Sequence, residues 1–341
     1  MIIDVHTHFF PPGYLEALRS DPDPYAIDRD AHGRTILTLH GARVVTMTQE
    51  MTSPEDRLRD MDRQGVDLQI VSVTTPNVEF GPQAGRFSLA RMANDGLIDL
   101  TRRFPRRFAA LASVPLANPE AATRELERAA GEPGIVGVIL GSNISGRYLD
   151  DPAFFPLLER AQALRMPVLV HPMPPTAADA TFARGLVPLL GFVFNTSVSV
   201  ARMALAGVFE RLPELTVILG HLGGTLPYLM QRLDNGYGAY PEARGSAPHP
   251  PSHYLRRLYY DTVSFSVPSL RCALEAVGPG QIVMGTDYPH VIGDIDAALG
   301  SVRALGLPDA AVTGILGDTA ARLFPRLARS ARQEAPGDED A

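Results

Sequence analysis

The sequence predicts an α/β fold, a (β/α)8 barrel of the TIM type with a small inserted hairpin or loop region near the N-terminus. Eight short apolar runs rich in β-branched residues recur along the chain, and amphipathic segments of helical periodicity separate most of them. Runs that are apolar on both faces are typical of a parallel sheet covered by helices. A chain of 341 residues is long enough for one domain of this kind.

The candidate strands lie, in chain order, at residues 2–6, 67–73, 107–114, 135–141, 167–171, 216–221, 258–263 and 281–287. The helical segment before the second strand, PEDRLRDMDRQG, ends at Gly65, which is a typical helix stop. A doubly wound open sheet is the competing fold, and it should carry a glycine-rich phosphate loop after an early strand. The glycine-bearing stretch IVGVILGSNISG lacks the G-x-G-x-x-G spacing, which favours the barrel.

Three stretches fall outside this alternation. Residues 11–53 contain the run TILTLHGARVV with turn signals, and we interpret them as a hairpin or loop inserted near the barrel mouth. Residues 236–257 are rich in proline and glycine, which favours a long loop. Residues 329–341 have the composition of a disordered tail, so we expect a single domain over residues 1–328.

The composition argues against several classes of protein. A formal net charge of −7 without a basic run argues against a nucleic-acid binder. No apolar run approaches the roughly 18–20 residues of a membrane span. The first apolar run has no basic region ahead of it and is interrupted by Asp4, unlike a signal peptide. The single cysteine, Cys272, cannot form an internal disulfide, which favours the cytoplasm. Together, these features lead us to expect a cytoplasmic protein that binds neither nucleic acid nor membrane.

The chain contains no lysine, and all 31 of its Lys and Arg residues are therefore arginine. Mechanisms that need a lysine amine, such as Schiff-base formation, are excluded. A carbamylated lysine cannot bridge two metal ions here either. Any metal site in this chain is therefore expected to hold one ion.

Five side chains suited to metal or proton chemistry fall at the C-terminal ends of candidate strands. They are His6 and His8 in the first strand region, His171 in the fifth, His221 in the sixth and Asp287 in the eighth. Any one of these histidines alone is more typically an ordinary core or loop residue. Barrel enzymes, however, build their active sites at this edge, where residues distant in sequence converge. The combination therefore predicts an active site.

The donor types suit one divalent metal ion. His6 and His8 are two residues apart, so on a strand their side chains point to the same face. Imidazole nitrogen with carboxylate oxygen suits zinc, with manganese or iron as alternatives. We expect zinc, or else manganese, bound by His6, His8, His171 and Asp287. His221 then remains as a general acid/base, because an ordinary imidazole pKa of about 6.5 suits proton transfer at neutral pH.

The motifs around these residues resemble a known family. IDVHTHFFP, MDRQGVDLQIVS, VLVHP, ILGHLGG, LMQRLDNGY and VMGTDYPH together resemble the amidohydrolase superfamily over nearly the whole chain. Within it, the sequence is similar to the metal-dependent decarboxylases of the aminocarboxymuconate-semialdehyde decarboxylase type. The resemblance implies the same metal ligands and no organic cofactor. It places the catalytic acid/base on His221, with Asp287 as its partner in the metal shell.

The resemblance also implies residues that bind the substrate. An arginine that grips a substrate carboxylate falls on Arg43, in GARVV. A second arginine, donated by the neighbouring subunit of a homodimer, falls on Arg232, in LMQRLDNGY. The sequence departs from the family where H-P-W becomes HPM, at Met173, and where D-Y-P-F becomes DYPH, at His290. We expect these two side chains to face the substrate.

Three functions are compatible with these residues. The first is metal-dependent, non-oxidative decarboxylation of a small unsaturated or aromatic carboxylic acid, of the muconate-semialdehyde or hydroxybenzoate type. The second is hydrolysis or hydration of a lactone, ester, amide or alkene at the same site. The third is a catalytically silent barrel that binds a metabolite or a partner, which the intact set of site residues disfavours. The sequence separates the first two poorly, because the same side chains serve both.

Overall fold

The computed structural model describes residues 1–175 and 180–327 and has an eight-stranded parallel sheet at its centre. The strands of this sheet and of two smaller ones are β1 (Ile3–His8), β2 (Tyr25–Arg29), β3 (Thr35–Leu39), β4 (Ala42–Thr46), β5 (Leu68–Ser72), β6 (Phe108–Ser113), β7 (Ile135–Gly141), β8 (Asn143–Ile144), β9 (Arg147–Tyr148), β10 (Val168–His171), β11 (Val217–Leu219), β12 (Tyr259–Asp261) and β13 (Ile282–Val283). The large sheet has the order β1-β5-β6-β7-β10-β11-β12-β13. Each predicted run forms a strand of this sheet, and the predicted barrel is confirmed.

The first and last strand regions join the sheet into a barrel. The Val5 amide donates to the Met284 carbonyl at 3.0 Å, and the His8 amide donates to the Tyr288 carbonyl at 2.8 Å. Regular pairing in β13 ends at Val283, earlier than the predicted end at residue 287. The chain beyond it takes an irregular path and reaches a left-handed backbone conformation at Asp287, with φ 56°. Such a conformation is incompatible with a regular strand.

Helices cover the outside of the barrel and connect its strands. They are α1 (Tyr14–Ser20), α2 (Pro54–Gln64), α3 (Arg86–Arg103), α4 (Pro119–Ala129), α5 (Phe155–Ala163), α6 (Phe192–Leu205), α7 (Val208–Arg211), α8 (Leu226–Ala239), α9 (Pro241–Arg244), α10 (Pro251–Leu255), α11 (Val267–Val277), α12 (Ile295–Arg303), α13 (Asp309–Thr313) and α14 (Thr319–Leu323). Single π-helical segments, Val187–Gly191 and Gly314–Asp318, precede α6 and α14.

Local sequence signals set the ends of helix α2, which packs beside β1 and β5. The Ser53 hydroxyl caps its first turn by accepting from the Asp56 amide at 3.2 Å. Pro54 occupies the first helical position, where its missing N–H is not needed. Gly65 ends the helix in the left-handed conformation, with φ 73°, as the sequence predicts.

Alternate residues of the strands fill the barrel interior. Ile3 and Val5 of β1, with Val136 and Ile139 of β7, belong to one buried apolar cluster. Phe324, just after α14, joins the same cluster. The remaining strand faces pack against the helices in a second, larger cluster. The interior is therefore apolar near the beginning of the strands, which leaves the polar strand ends to form the site.

The insertion after β1 is a three-stranded antiparallel sheet of β2, β3 and β4. Its second hairpin is the predicted TILTLHGARVV stretch. The turn uses His40 and Gly41, both at positive φ (49° and 77°), which suits the twist of a two-residue hairpin. The sequence interpretation missed β2, which adds a third strand to the predicted hairpin. Strand β4 reaches the barrel mouth, where it carries Arg43.

The predicted long loop at residues 236–257 is wrong in part. Helix α8 continues to Ala239, and the short helices α9 and α10 follow it. Both begin with a proline, at Pro241 and Pro251, because proline is favourable at a first helical position even where it is common in loops. The predicted disordered tail, 329–341, lies outside the described residues.

One continuous helical stretch, Val187–Leu205, is long and apolar enough to cross a membrane, with mean hydropathy 1.3. This differs from the sequence interpretation, in which no apolar run approached such a length, because polar side chains within the stretch do not interrupt its helix. Some 56% of the hydropathy window is buried inside the protein. A core helix passes the same test, so this stretch is weak evidence for a membrane span.

Candidate active site

Four predicted ligands converge at the C-terminal edge of the barrel. One ligand atom from each of His6, His8, His171 and Asp287 lies within 4.8 Å of the others, and all four residues are buried. His6 and His8 come from β1 and His171 from the end of β10, while Asp287 follows β13. The structure therefore brings together the side chains that the strand ends predict.

Hydrogen bonds orient the rings of His6 and His8. His6 Nδ1 lies 2.6 Å from the Asp261 carboxylate, which can only accept, so the Nδ1 hydrogen points to it. His8 Nδ1 lies 3.1 Å from Ser72 Oγ. The Ser72 hydroxyl donates to the Thr7 carbonyl, so its oxygen accepts from His8. Both neutral imidazoles therefore leave Nε2 without a hydrogen.

The ring of His171 is oriented in the same way. Its Nδ1 donates to the Pro172 carbonyl at 3.0 Å, which leaves Nε2 as the acceptor atom. Its ring centre lies 5.2 Å from that of His6 and 4.8 Å from that of His8. Fixing one ring nitrogen in order to aim the other is the usual outer-sphere arrangement of metal-binding histidines.

The acceptor atoms of these residues crowd against one another. His6 Nε2 and His8 Nε2 are 3.1 Å apart, and Asp287 Oδ1 lies 3.1 Å from His8 Nε2 and 3.5 Å from His6 Nε2. Lone pairs at such distances repel unless a cation lies between them. Three imidazole nitrogens and one carboxylate form a donor set that suits a divalent metal ion. The residues present therefore fit the predicted metal.

The electrostatics of the cluster favour the protonation states that bind a metal ion, which are neutral imidazole and ionised carboxylate. Burial lowers the pKa of His8 to about 3 and holds that of His171 well below its ordinary value, so both are neutral at pH 7. Burial raises the pKa of Asp287, but His290, His221 and His8 outweigh it and hold that pKa well below the usual range. Burial lowers the pKa of His6, yet the Asp261 carboxylate outweighs it and the net shift is upward. Without a metal, His6 is thus the group best placed to hold a proton.

Asp261 organises the site and was missed in the sequence. Besides His6, its carboxylate accepts from the backbone amides of His221 at 3.0 Å, Leu222 at 2.7 Å and Val263 at 3.0 Å. It is fully buried at the end of β12. The predicted strand region, 258–263, runs two residues beyond Asp261, so its position at a strand end was visible only in the structure.

His221 lies in a strained turn just after β11. His221 and Leu222 have φ of 56° and 55°, and Gly223 and Gly224 follow at positive φ. A Cβ on Gly223 would lie 2.5 Å from the Tyr260 ring, so the HLGG turn requires glycine there. His221 Nε2 is 3.6 Å from Asp287 Oδ2. Strain of this kind is concentrated at functional sites, where the surrounding structure enforces it.

A cavity of about 250 Å³ opens above these groups. His171, His221, Asp287 and His290 lie in its wall, together with the hydrogen-bonding side chains of Arg43, Thr46 and Thr74. The rest of the wall is mostly apolar and is formed by Val44, Val45, Gly185, Pro188, Leu189, Phe192, Val291 and Ile292. The volume and lining suit a single small ring with few polar substituents.

Two predicted substrate-binding residues lie in the cavity wall. Arg43 donates to Thr46 Oγ1 at 3.0 Å and lies 3.3 Å from Asp30 Oδ2, with its side chain one-third exposed. His290 Nε2 lies 3.0 Å from Thr74 Oγ1, and burial lowers the pKa of its ring. Both side chains are therefore held in place before a ligand binds.

The other two predicted residues do not line the cavity. Met173 is buried beside His171, where its sulfur lies 3.8 Å from Thr75 Oγ1. Gly141 makes room for it, since a Cβ there would lie 2.6 Å from Met173 Cγ. Met173 is therefore not among the side chains that form the cavity wall, and its predicted contact with a substrate stays a prediction. Arg232 is exposed on α8, and its predicted role requires a second subunit.

Comparison with known proteins gives consistent matches. The family profile described as "Amidohydrolase" matches residues 3–326. The chain is 30% identical over 300 residues to 2-amino-3-carboxymuconate-6-semialdehyde decarboxylase from Dictyostelium discoideum, covering 86% of this chain and 83% of that protein.

Solved structures give the same picture. 5-Carboxyvanillate decarboxylase from Sphingomonas paucimobilis superposes with a TM-score of 0.84 at 27% identity, over 95% of this chain and 98% of that chain. A dihydroxybenzoic acid decarboxylase from Polaromonas, solved with bound manganese and the inhibitor 2-nitroresorcinol, gives a TM-score of 0.76 at 27% identity. That match covers 95% of this chain and 96% of the other.

Proposed function

This chain belongs to the amidohydrolase family, and we propose that it is a metal-dependent, non-oxidative decarboxylase, a carboxy-lyase acting on a small aromatic or unsaturated carboxylic acid. The observation that carries the proposal is the convergence of three imidazole acceptors and one carboxylate beneath a small, mostly apolar cavity. The named relatives are decarboxylases of such acids.

His6, His8, His171 and Asp287 would hold a single divalent ion. When bound, the ion would supply Lewis-acid chemistry by withdrawing electron density from substrate oxygen atoms near the carboxylate that leaves. We keep zinc, expected from the sequence, and manganese, present in the Polaromonas structure, as the two candidate ions. Metal analysis of the purified protein distinguishes them.

His221 is the proposed general acid. In decarboxylation the bond between the ring carbon and the carboxylate breaks, carbon dioxide leaves, and the electron pair stays on the ring carbon. A proton from His221 then forms the new C–H bond, and water returns a proton to His221. The strained turn holds the ring at the cavity wall, and Asp287 Oδ2 at 3.6 Å can stabilise its charged form.

Arg43 is the proposed anchor for a substrate anion, because it lies in the cavity wall and its guanidinium is oriented by Thr46 and Asp30. The apolar side chains of Val44, Phe192 and Ile292 suit the faces and edges of an aromatic ring. Among the two acid types expected from the sequence, this wall favours the hydroxybenzoate type over the more polar muconate semialdehyde.

We retain the homodimer, with Arg232 reaching the partner's site, as a proposal. It is supported by two exposed apolar side chains, Phe194 and Val198, which are one turn apart on α6. Tyr228, one turn before Arg232 on α8, is 81% exposed. Sedimentation velocity should give a dimer, and Arg232→Ala should raise KM. A monomer with an unchanged KM would contradict the proposal.

Product analysis separates decarboxylation from hydrolysis or hydration. The metal-loaded protein is incubated with a panel of hydroxybenzoates, muconate-type acids, lactones and esters, and products are identified by mass. We expect loss of carbon dioxide from at least one hydroxybenzoate. Products that gain the mass of water, without carbon dioxide release from any acid, would instead assign the hydrolase or hydratase alternative.

A further inference from the structure

We propose that Arg57 and Asp60, one turn apart on helix α2, are positioning residues that fix the separation of two ligand-bearing segments. The first segment is β1, which ends at His8, and the second is residues 284–290, which include Asp287. This inference rests on the proposed metal site. Neither residue lines the cavity, and neither can contact a substrate from its position.

Arg57 contacts the first segment directly. It is a fully buried side chain, with 0% of its surface exposed. One guanidinium nitrogen donates to the His8 carbonyl, and the other donates to Gln69 Oε1 of β5 at 2.8 Å. The Arg57 guanidinium therefore links the backbone of His8, a proposed metal ligand, to strand β5.

The same guanidinium contacts the second segment. Its central carbon lies 4.8 Å from the centre of the Tyr288 ring, in the geometry of a cation–π interaction. The Tyr288 hydroxyl donates to Asp60 Oδ2 at 2.6 Å, and the Tyr288 carbonyl accepts from the His8 amide at 2.8 Å. Tyr288 is thus held through its ring, its hydroxyl and its backbone, and it directly follows Asp287.

The energetics indicate that this arrangement serves more than packing. A guanidinium keeps its charge at pH 7, so Arg57 is a fully buried cation. Within the described residues it has no ion pair with a carboxylate, and its buried Nε has no hydrogen-bond partner. A buried cation compensated in this way is costly, and an apolar side chain would fasten α2 to the barrel at lower cost. The guanidinium instead donates to the His8 carbonyl and to Gln69 and lies over the Tyr288 ring, so its contacts are with both ligand-bearing segments and with β5.

The test uses metal affinity, because fastening α2 alone would not change it. Arg57→Met removes the donors and keeps most of the volume, while Tyr288→Phe and Asp60→Asn weaken the second contact and keep the ring. Arg57→Lys retains the charge and one donor direction. Arg86→Met is the matched control, since Arg86 is a mostly buried arginine paired with Glu79, away from both segments. Each variant is checked for folding by circular dichroism.

The measurements are the Mn²⁺ dissociation constant, the electron paramagnetic resonance line shape of bound Mn²⁺, and kcat and KM. Arg57→Met should weaken Mn²⁺ binding about 10- to 100-fold, the range found for outer-sphere metal-site variants. It should change the line shape and lower kcat with little change in KM. Tyr288→Phe and Asp60→Asn should have smaller effects of the same kind, Arg57→Lys should recover part of the loss, and Arg86→Met should match the wild type.

Wild-type affinity and line shape in folded Arg57→Met would overturn the positioning role. If that variant does not fold, unchanged Mn²⁺ binding in both Tyr288→Phe and Asp60→Asn would overturn it equally. A wild-type protein that binds no divalent ion would instead refute the proposed function itself. The two failures are therefore distinguishable.

Discussion

At the residue scale, Asp261 connects the cluster of proposed metal ligands to the HLGG turn that contains His221. One carboxylate orients the His6 ring and accepts from the backbone amides of His221 and Leu222. These amides belong to residues in left-handed conformations, which need such partners to stay in place. Asp261 neither lines the cavity nor belongs to the proposed metal ligands, yet it holds both the His6 ring and the backbone at His221 in place.

Asp261→Asn should weaken both metal binding and catalysis. The amide oxygen can still accept from His6 and His221, but the NH₂ group would face the backbone amides of Leu222 and Val263, so two buried donors lose their partner. We expect metal affinity to fall by about 10- to 100-fold and kcat to fall with it. Metal content after dialysis and steady-state kinetics measure both. Full metal retention together with wild-type kcat would contradict the role assigned to Asp261.

A second residue-scale prediction concerns Glu79, which lies away from the metal cluster. Burial raises its pKa to about 7 from an ordinary value of 4.5, against the opposing effect of Arg86 at 2.7 Å. Between these pH values the folded protein holds a proton that the unfolded chain has lost. The stabilising contribution is therefore complete below pH 4.5 and is lost as the pH rises through 7.

The size follows from about 1.4 kcal/mol per pKa unit, which makes the loss roughly 3 kcal/mol. Urea unfolding of the wild type and of Glu79→Gln at several pH values between 4.5 and 8 measures it. The stability of the wild type relative to the variant should fall with pH, whatever constant offset the lost ion pair adds. Parallel pH profiles would show that the Glu79 pKa is not raised.

At the scale of elements, the HLGG turn and helix α2 each contact residues of the site. The turn after β11 depends on glycine because the chain passes close to α6. A Cβ on Gly224 would clash with Ser197 Oγ and the Val193 carbonyl, and its φ of 67° is unfavourable for other residues. Helix α2 contacts the ligand-bearing segments through Arg57, which donates to the His8 carbonyl, and Asp60, which accepts from the Tyr288 hydroxyl.

Gly224→Ala should therefore displace the turn and the His221 ring. We expect kcat to fall at least about tenfold, since misplacing a catalytic group by an ångström is costly. Gly278→Ala is the matched control, because Gly278 also has positive φ (81°) but nothing lies within 4 Å of its Cβ position. The control should lose about 1 kcal/mol of stability and keep its kcat per folded molecule. Equal kcat values for the two variants would contradict this account.

At the scale of the whole molecule, the proposed metal joins the two ends of the barrel. His6 and His8 lie on the first strand, while Asp287 lies beyond the last, and regular pairing between these regions is sparse. A bound ion would therefore add to barrel closure. It would stabilise the protein by about 2.7 kcal/mol at a free concentration 100 times its Kd.

Removing the metal should loosen the region where β1 meets β13 and the chain beyond it more than the rest of the barrel. Hydrogen exchange of the chelated protein should increase in peptides covering residues 3–8 and 282–290 more than in those covering 108–113. The central strands β6 and β7 provide the internal reference, since they contribute no ligand. A uniform increase across all strands, or none, would indicate that the ion does not join the barrel ends.

The barrel and most of the site were predictable because both depend on local patterns. Apolar runs identify the strands, and the rule that active sites occupy strand ends locates His171 and Asp287. Asp261 was missed because the predicted strand runs to residue 263, so this aspartate did not fall at a predicted strand end. The place of Met173 outside the cavity wall was not visible in the sequence, which does not show that Gly141 leaves room for its side chain.

Other features depend on contacts that are distant in sequence. In the sequence, Arg57 is one of several charged residues on an amphipathic helix. Only the structure shows that it is buried against His8 and Tyr288. Strand β2 pairs with β3 through a turn whose polar sequence resembles a loop. The prolines at 241 and 251 signal either a loop or a helix start, and tertiary packing decides between them.

The central claim is that this cluster carries out metal-dependent decarboxylation with His221 as the proton donor. The most direct test follows a hydroxybenzoate labelled with ¹³C in its carboxylate, incubated in D₂O with the metal-loaded protein. We predict labelled carbon dioxide and an equal amount of arene carrying one deuteron at the vacated carbon, with both strongly reduced in chelated protein and in His221→Asn. Labelled carbon retained in every product, or undiminished release from His221→Asn, would contradict the account.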